Sequence, residues 1–376
     1  MLTIEKLDTT NKKHVKRFID VPFQFYKNTP QWVPPIRMDV AGAMDRQKHP
    51  FYEHSEADFF IAVRDGRDVG RLQVLYNRKY NEYHGKHRAQ FYYFECEENQ
   101  ETANALFERG FEWARQYGLD EIIGPKSMFI LDGYGLLVEG FEHRQMMTMM
   151  NYNHPYLVKQ LETLGFEKEV DFVSCYVHTP EFRLDDRIHR IAERVQERGT
   201  LSVVRFKNKK ELVKIAPKIG AAYNKTFVNN WEYAPLSERE VKFVVDTIIT
   251  VADHRLFKII MHGDDVAGFL FAFPDISKAL QRSQGKLFPF GIFDLLLEMR
   301  RTDWLSVNGA GVLPEYQGRG GNALMYSELE KTARESGKFE HVELTQVAES
   351  AVAMRHDLEN LGGKAYKNHR VFRRKL

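Results

Sequence analysis

The sequence of 376 residues has little cysteine, no long apolar run and almost no net charge. Its two cysteines, Cys96 and Cys175, exclude a disulfide-stapled fold and favour a reducing compartment. No run approaches the roughly 18 apolar residues that a membrane-spanning helix needs. The formal net charge of +2 gives no argument for a nucleic-acid partner or an acidic membrane surface. We therefore predict a cytoplasmic globular protein without nucleic-acid or membrane partners.

The motifs of several enzyme classes are also missing. The 14 histidines are scattered, and pairs such as His49 and His54 lack further ligands at metal-site spacing. No hydrolase-type nucleophile motif is present. The sequence therefore predicts no metal centre and no serine- or cysteine-based hydrolysis.

What the chain does contain is an internal repeat. A hairpin with a glycine-containing polar turn, Val63–Gly70, has a counterpart with one extra residue in Met261–Gly268. A helix end of the pattern Leu-Glu-x-Leu-Gly, Leu161–Phe166, has a counterpart in Leu358–Gly363. The turn glycines Gly66 and Gly263 are 197 residues apart, and so are Leu161 and Leu358. Two unrelated features that share one offset indicate a duplication.

The duplication predicts two α/β copies of one unit. We place the first copy at 1–182 and the second at 199–376, with residues 183–198 as a linker. The linker reads as a helix from Asp185 to Arg198 in which acids and bases alternate, and this pattern predicts a solvated surface helix.

The most informative stretch is Val312–Leu324, which reads as the end of a strand, a glycine turn and the first turn of a helix. Gly318, Gly320 and Gly321 lack the Cβ atoms that would keep a ligand away from the backbone. A bare helix N-terminus offers unpaired N–H groups and the positive end of the dipole. Arg319 adds a positive charge, so the stretch is suited to a phosphate or pyrophosphate.

Three types of nucleotide loop compete for this stretch. A Walker loop requires Gly-Lys-Ser/Thr after the glycines, and the sequence Gly321-Asn322-Ala323 excludes it. A dinucleotide fingerprint would place its third glycine at Ala323, far from the first βαβ unit where that motif belongs. The third type, a loop that binds the pyrophosphate of an acyl-CoA, fits best.

The sequence Val-Leu-Pro-Glu-Tyr-Gln-Gly-Arg-Gly-Gly, which starts at Val312, resembles the acyl-CoA pyrophosphate loop of the GNAT N-acetyltransferase superfamily. That loop has the pattern Gln/Arg-x-x-Gly-x-Gly/Ala after a strand that ends in Val-x-Pro. Gln317 and Gly320 match it, whereas Asn322 departs from it at the last position. The resemblance implies an α/β (α+β) chain of two tandem GNAT-like domains, each a mixed, mostly antiparallel sheet flanked by helices.

The resemblance also implies the donor site and the co-substrate, with acetyl-CoA as the default acyl-CoA and no metal. The expected acyl-CoA-binding residues are Val312, Leu313, Gln317, Gly318, Arg319, Gly320, Gly321, Asn322 and Ala323.

The catalytic groups are harder to place. Many GNAT enzymes take a base from the strand before the loop and an acid from a tyrosine on the last long helix. Here Asn308 is the only strong polar group of the strand, and the tyrosine position falls on Leu358. The candidate substitutes are Glu232 and Tyr233, in a loop that lines the acceptor side of this fold.

The first copy lacks the loop. Its equivalent stretch, Glu95–Glu101, has no glycine and places four carboxylates near the helix start. Acids there satisfy the helix dipole and repel a pyrophosphate. We predict that the first copy does not bind CoA, and that a glycine-containing loop at Leu131–Gly135 is a candidate to line an acceptor cleft.

The leading hypothesis is an acyl-CoA-dependent N-acyltransferase that acts on an amine of a small molecule or peptide. One alternative is a non-catalytic acyl-CoA-binding or sensing protein. Another is a tandem transferase of the myristoyl or Fem aminoacyl type, which shares the arrangement of two GNAT units. A homodimer stays an open alternative.

Overall fold

The computed structural model describes residues 1–147, 150–228, 230–231 and 233–376. The described helices are α1 (Lys12–Phe25), α2 (Arg37–Met44), α3 (Arg78–His84), α4 (Gln100–Gln116), α5 (Pro155–Thr163), α6 (Asp186–Glu197), α7 (Lys209–Thr226), α8 (Glu238–Ile248), α9 (Ser277–Ser283), α10 (Gly291–Arg301), α11 (Gly321–Ser336) and α12 (Val352–Asn360). The described strands are β1 (Leu2–Lys6), β2 (Glu56–Arg64), β3 (Arg67–Tyr76), β4 (Arg88–Cys96), β5 (Glu121–Gly124), β6 (Leu136–Glu139), β7 (Glu167–His178), β8 (Ser202–Val204), β9 (Lys258–His262), β10 (Asp265–Pro274), β11 (Trp304–Val312), β12 (His341–Ala348) and β13 (Lys364–Lys375). The α/β class predicted from the sequence is confirmed.

These elements form two compact units, and neither is continuous in sequence. Unit 1 consists of Met1–Val173, Ser277–Leu295 and Tyr366–Leu376, and unit 2 of Ser174–Ile276 and Leu296–Ala365. The repeat placed the first copy at residues 1–182. Unit 1 also includes α9 with the start of α10, and most of the last strand of the chain.

The sheet of unit 1 has the strand order β1-β2-β3-β4-β5-β13-β7, and β6 pairs with β13. The pairs from β1 to β4 are antiparallel, whereas β4 and β5 are parallel. Helix α4 covers one face with Leu106, Phe107 and Phe111, which lie at helical spacing and are almost fully buried. Helices α1 and α2 cover the other face through Phe18 and Met44.

The sheet of unit 2 repeats this plan with the order β7-β12-β11-β10-β9-β8. Its parallel pair is β11 with β12, the counterpart of β4 with β5. The two hairpins predicted around Gly66 and Gly263 are present as β2–β3 and β9–β10. The first strand of each parallel pair carries a bulge. Tyr93 has φ +47° at the bulge in β4, and Gly309 has φ +81° at the bulge in β11.

Helix α6 corrects one expectation. The predicted linker is helical, but it is not a solvated spacer, because Ala192 and Val195 are buried. His189 contacts Ser327 of α11 through Nδ1 at 2.9 Å and Glu330 through Nε2 at 2.9 Å. The alternating charges therefore lie on the outer face of a helix that packs into unit 2.

Candidate functional site

Strand β11 has two neighbours at its start and one at its end. Its parallel pairing with β12 ends at Val307 and Leu344, whereas its antiparallel pairing with β10 continues to Val312. The bulge at Gly309 lies at the point of separation. Beyond Val307, the β11 backbone that faced β12 is therefore available to pair with an extended ligand.

The first residue past this separation is Asn308. Its side chain is buried, with 5% exposed, and its Nδ2 has no hydrogen-bond partner among the described residues. A buried donor without a partner costs about 1–3 kcal/mol. Such an N–H group suits the carbonyl oxygen of a ligand that lies along the end of β11.

The loop after β11 turns sharply. Residues Pro314–Tyr316 form a 3-10 turn, and Gln317 donates from Nε2 to the Val312 carbonyl at 3.2 Å. This bond ties the loop to the end of the strand. Gly318 follows at φ +73°, and a Cβ there would meet no atom within 4 Å. Gly318 is thus required by the turn and faces open space, as a ligand-binding loop demands.

Helix α11 begins without a side-chain cap. Gly320, at φ +85°, occupies the N-cap position, and the first turn contains no acid. The Leu324 N–H bonds to the Gly320 carbonyl at 3.1 Å, so the N–H groups of Gly321, Asn322 and Ala323 lie ahead of the intrahelical ladder. Together with the helix dipole they form an anion-binding end.

Gly320 also has a packing role that the sequence did not reveal. A Cβ at this position would lie 2.7 Å from Val195 Cγ2 and 3.1 Å from Ile191 Cγ2, both on α6. The absence of a side chain therefore lets α6 approach the start of α11. The helix that the sequence assigned to a linker thus supports the loop from behind.

Arg319 lies at the mouth of the loop and is exposed. Its guanidinium carbon is 5.5 Å from the centroid of the Tyr316 ring, and that ring is 5.1 Å from the ring of His262. Arg319 forms no ion pair with any residue that the structure describes. Its charge is therefore available to a phosphate.

A polar group on α11 and α12 escaped the sequence analysis. Asn322 donates to Asp357 Oδ2 at 3.1 Å, and the Tyr326 hydroxyl donates to the same oxygen at 3.3 Å. Burial raises the pKa of Asp357 more than these two hydrogen bonds lower it. Burial also raises the pKa of Tyr326. The side chain of Asn322 thus points to α12. The only sequence signal was the spacing of Asn322 and Tyr326, one helical turn apart.

The proposed catalytic residues have different surroundings. Glu232 lies outside the described residues. Tyr233 is buried, and its hydroxyl donates to the Asn224 carbonyl at 2.8 Å. No described contact joins Tyr233 to Asn308. Leu358, at the usual tyrosine position, is a core residue with 6% exposed.

The corresponding helix start in unit 1 is closed by its own side chains. Asn99 caps α4 by accepting from the Glu101 N–H at 3.0 Å. Arg64 donates to Glu97 at 2.9 Å and to Glu101 at 2.8 Å. Thr102 donates to Glu97 at 2.6 Å. The protein's own groups thus take the place that a phosphate would need.

Unit 1 has a different polar feature in the loop Leu131–Gly135. Asn151 donates from Nδ2 to the Gly133 and Gly135 carbonyls at 2.9 Å each, and it accepts from the Tyr92 hydroxyl at 2.9 Å. Burial raises the pKa of Asp132 in this loop to about 7, against a hydrogen bond from Ser127 that lowers it and with a smaller upward contribution from the charge of Asp39. This carboxyl therefore titrates near neutral pH, as functional groups often do.

One group of described residues has the composition of a metal site. The ligand atoms of Asp303, Glu340 and His341 lie within 4.8 Å of one another. However, His341 shares a 2.7 Å hydrogen bond through Nδ1 with Tyr176 and stacks on Trp304. The group is a hydrogen-bonded surface cluster, and we assign no ion to it.

Known proteins resemble the chain along its whole length. No protein-family model matches it. The bacterial ceramide synthase of Caulobacter vibrioides (strain NA1000 / CB15N) is 27% identical over 372 residues, which cover 96% of this chain and 95% of that protein. Protein YghO of Escherichia coli (strain K12) is 25% identical over 371 residues, covering 97% and 94%.

A solved structure shares the fold. A tandem GNAT protein from the clavulanic acid biosynthesis pathway aligns with a TM-score of 0.59 and 14% identity, covering 100% of this chain and 98% of that one. The repeat, the parallel strand pair in each unit and the glycine loop before α11 agree with this match. The chain therefore has the fold of a tandem GNAT protein.

Proposed function

We propose that the protein is an acyl-CoA-dependent N-acyltransferase whose donor binds to unit 2. The observation that carries the proposal is the uncapped start of α11 directly after a strand that has left its neighbour. The first feature offers N–H groups to a diphosphate, and the second offers backbone to an extended amide chain. A diphosphate and an extended amide chain are the two parts of pantetheine diphosphate, which every acyl-CoA contains.

In this proposal the backbone N–H groups of Gly321–Ala323 bind the diphosphate, and Arg319 adds charge at the mouth. Gln317 fixes the Val312 carbonyl and so keeps the end of β11 in position. Val312 and Leu313 pair with the pantetheine arm. The positive φ of Gly318 allows the backbone to turn toward the phosphates without a side chain between them.

Asn308 is our candidate for stabilising the reaction itself. In N-acylation a neutral amine attacks the thioester carbonyl and the carbonyl oxygen becomes negative. The C–S bond then breaks to release CoA thiolate, and the proton lost by the amine nitrogen passes through solvent to that thiolate. A donor that is already desolvated and unpaired costs little reorganisation when that charge forms. The Nδ2 of Asn308 is such a donor at the point where the thioester would follow the pantetheine.

For the acceptor, the best lead is the name of one relative. Ceramide is the N-acyl derivative of a long-chain amino alcohol, and the bacterial ceramide synthase matches nearly the whole chain. We therefore propose a lipid amine as acceptor and a fatty acyl-CoA as donor, in place of the small amine and acetyl-CoA expected from the sequence.

The test has two steps. Calorimetry with CoA, acetyl-CoA and palmitoyl-CoA measures donor binding, and a thiol-release assay over small amines, peptides and a long-chain amino alcohol measures transfer. We expect CoA, acetyl-CoA and palmitoyl-CoA all to bind. We expect thiol release only from palmitoyl-CoA in the presence of the long-chain amino alcohol. Binding without turnover on any amine would favour the sensing alternative, and no CoA binding would remove the proposal.

A further inference from the structure

The turn between α9 and α10 exposes an unusual amount of apolar surface. Five large hydrophobic side chains within residues 288–297 are exposed, and we call them the apolar stripe: Phe288 (66%), Phe290 (78%), Phe293 (68%), Leu296 (44%) and Leu297 (40%). The other exposed large hydrophobic residues described in the chain are scattered. Contiguous apolar surface on this scale marks an interaction site.

Three members of the apolar stripe lie on one side of α10. Phe293, Leu296 and Leu297 have the spacing i, i+3, i+4, which places them on a common face. Leu295 and Glu298, on the opposite face, are buried. Helix α10 therefore buries one face through Leu295 and Glu298 and exposes apolar side chains on the other, so packing among the described residues does not explain the outer face.

The turn that carries the phenylalanines is held in place. Gln281 donates from Nε2 to the carbonyls of Pro30 and Trp32 at 2.8 Å each. The Arg37 N–H donates to the Gly285 carbonyl at 3.0 Å. These bonds anchor α9 and the turn within unit 1. The exposure of the stripe is thus a property of an anchored segment.

The charges around the stripe are of one sign. Asp294 is neutralised by Arg282 at 2.8 Å. The exposed cations of the segment that form no ion pair with a described residue are Lys278, Lys286, Arg300 and Arg301. Apolar side chains bordered by free lysine and arginine match the interface of a bilayer with anionic headgroups.

We infer that residues 286–301 dock the protein on the surface of an anionic phospholipid bilayer. The apolar stripe enters the acyl-chain boundary, while Lys286, Arg300 and Arg301 contact the headgroups. In the described residues no helix is long and apolar enough to cross a membrane; surface docking does not require one. The inference goes beyond the proposed activity, since vesicle binding needs neither donor nor acceptor.

Vesicle flotation of the purified full chain tests the inference. The probes are vesicles of phosphatidylcholine alone and of phosphatidylcholine with 30% phosphatidylglycerol, without substrate. We expect the protein to float with the anionic vesicles. Phe288→Ser/Phe290→Ser/Phe293→Ser should lower the affinity at least tenfold, and Arg300→Glu/Arg301→Glu should abolish the preference for phosphatidylglycerol.

The matched control is Val213→Ser/Val228→Ser/Val352→Ser, which removes exposed apolar side chains elsewhere and should leave flotation unchanged. Thermal melts and CoA calorimetry establish that each variant is folded and separate this inference from the proposed activity. Lack of flotation, flotation that ignores the phenylalanine variant, or a dimer that the phenylalanine variant dissociates without vesicle binding would each overturn the inference.

Discussion

The starts of α4 and α11 occupy equivalent places in the two units and have opposite chemistry. At α4 the cap of Asn99 and the ion pairs of Arg64 with Glu97 and Glu101 satisfy the helix end from within. At α11 the N-cap is Gly320, and no side chain of a described residue caps the N–H groups of the first turn. Under the proposed function, the fold uses the same helix end for its own stability in one copy and for a ligand in the other.

The largest expected effect is the loss of activity on replacing Asn308, which lies on the strand that leads to α11. In Asn308→Ala, we expect kcat to fall by about 10²–10³ with little change in donor affinity, because the lost N–H acts on the charge that forms during transfer. Steady-state kinetics and calorimetry measure the two quantities. Tyr233→Phe serves as the control, since that hydroxyl bonds to the Asn224 carbonyl. Equal activity of wild type and Asn308→Ala would remove Asn308 from the chemistry.

The second prediction asks whether unit 1 holds a functional carboxyl of its own. The pKa of Asp132 is raised to about 7, so the folded state binds this proton more tightly than the unfolded state does. The free energy of unfolding should therefore fall as the pH rises from 4 through 7. Asp132→Asn should be more stable than wild type at pH 8, by up to about 4 kcal/mol, and equal at pH 4.

Urea unfolding at the two pH values measures the effect. Asp120→Asn, an exposed acid, provides the matched control and should leave the pH dependence unchanged. An Asp132→Asn curve parallel to that of wild type across this range would contradict the assignment.

The third prediction concerns the charge at the α11 loop. Arg319→Glu should weaken CoA binding about tenfold, because a repulsive charge replaces an attractive one near the diphosphate at the surface. Calorimetry at two salt concentrations measures this loss, which should shrink at high salt. Arg187→Glu, at the distant start of α6, reverses the same charge and should leave the affinity unchanged. A similar loss of CoA affinity in both variants would show that the net charge of the protein, and not the position of Arg319, determines the affinity.

The smallest effect tests the closed helix end. Asn99→Ala removes a cap and should lower the free energy of unfolding by about 1 kcal/mol. Because we predict that the start of α4 does not bind the donor, CoA affinity should not change. Denaturant unfolding and calorimetry give the two values. A variant whose CoA affinity drops with its stability would indicate that the α4 start contributes to donor binding.

Local patterns predicted the parts of the fold that local physics determines. The glycine loop, the hairpins and the helix from Gly321 to Ser336 follow from glycine, proline and apolar periodicity over short windows. Two short helices, Arg37–Met44 and Arg78–His84, were missed. The first helix has no apolar face, and the second covers only two turns, so neither produces a periodic hydrophobic pattern.

The remaining features depend on contacts between distant residues. The approach of Val195 to Gly320 combines segments more than a hundred residues apart, so the glycine pattern alone indicated only a ligand. The raised pKa of Asp132 comes from burial that no sequence window contains. Likewise, Asn308 stood out as polar, but its unpaired Nδ2 is visible only where β11 leaves β12.

The central claim is that the backbone at the start of α11, and not that of α4, binds the donor diphosphate. A crystal structure of the protein with CoA tests it most directly. We predict phosphate oxygens within hydrogen-bond distance of the Gly321, Asn322 and Ala323 N–H groups. A diphosphate at Asn99–Glu101, or CoA bound elsewhere with the α11 loop empty, would contradict the account.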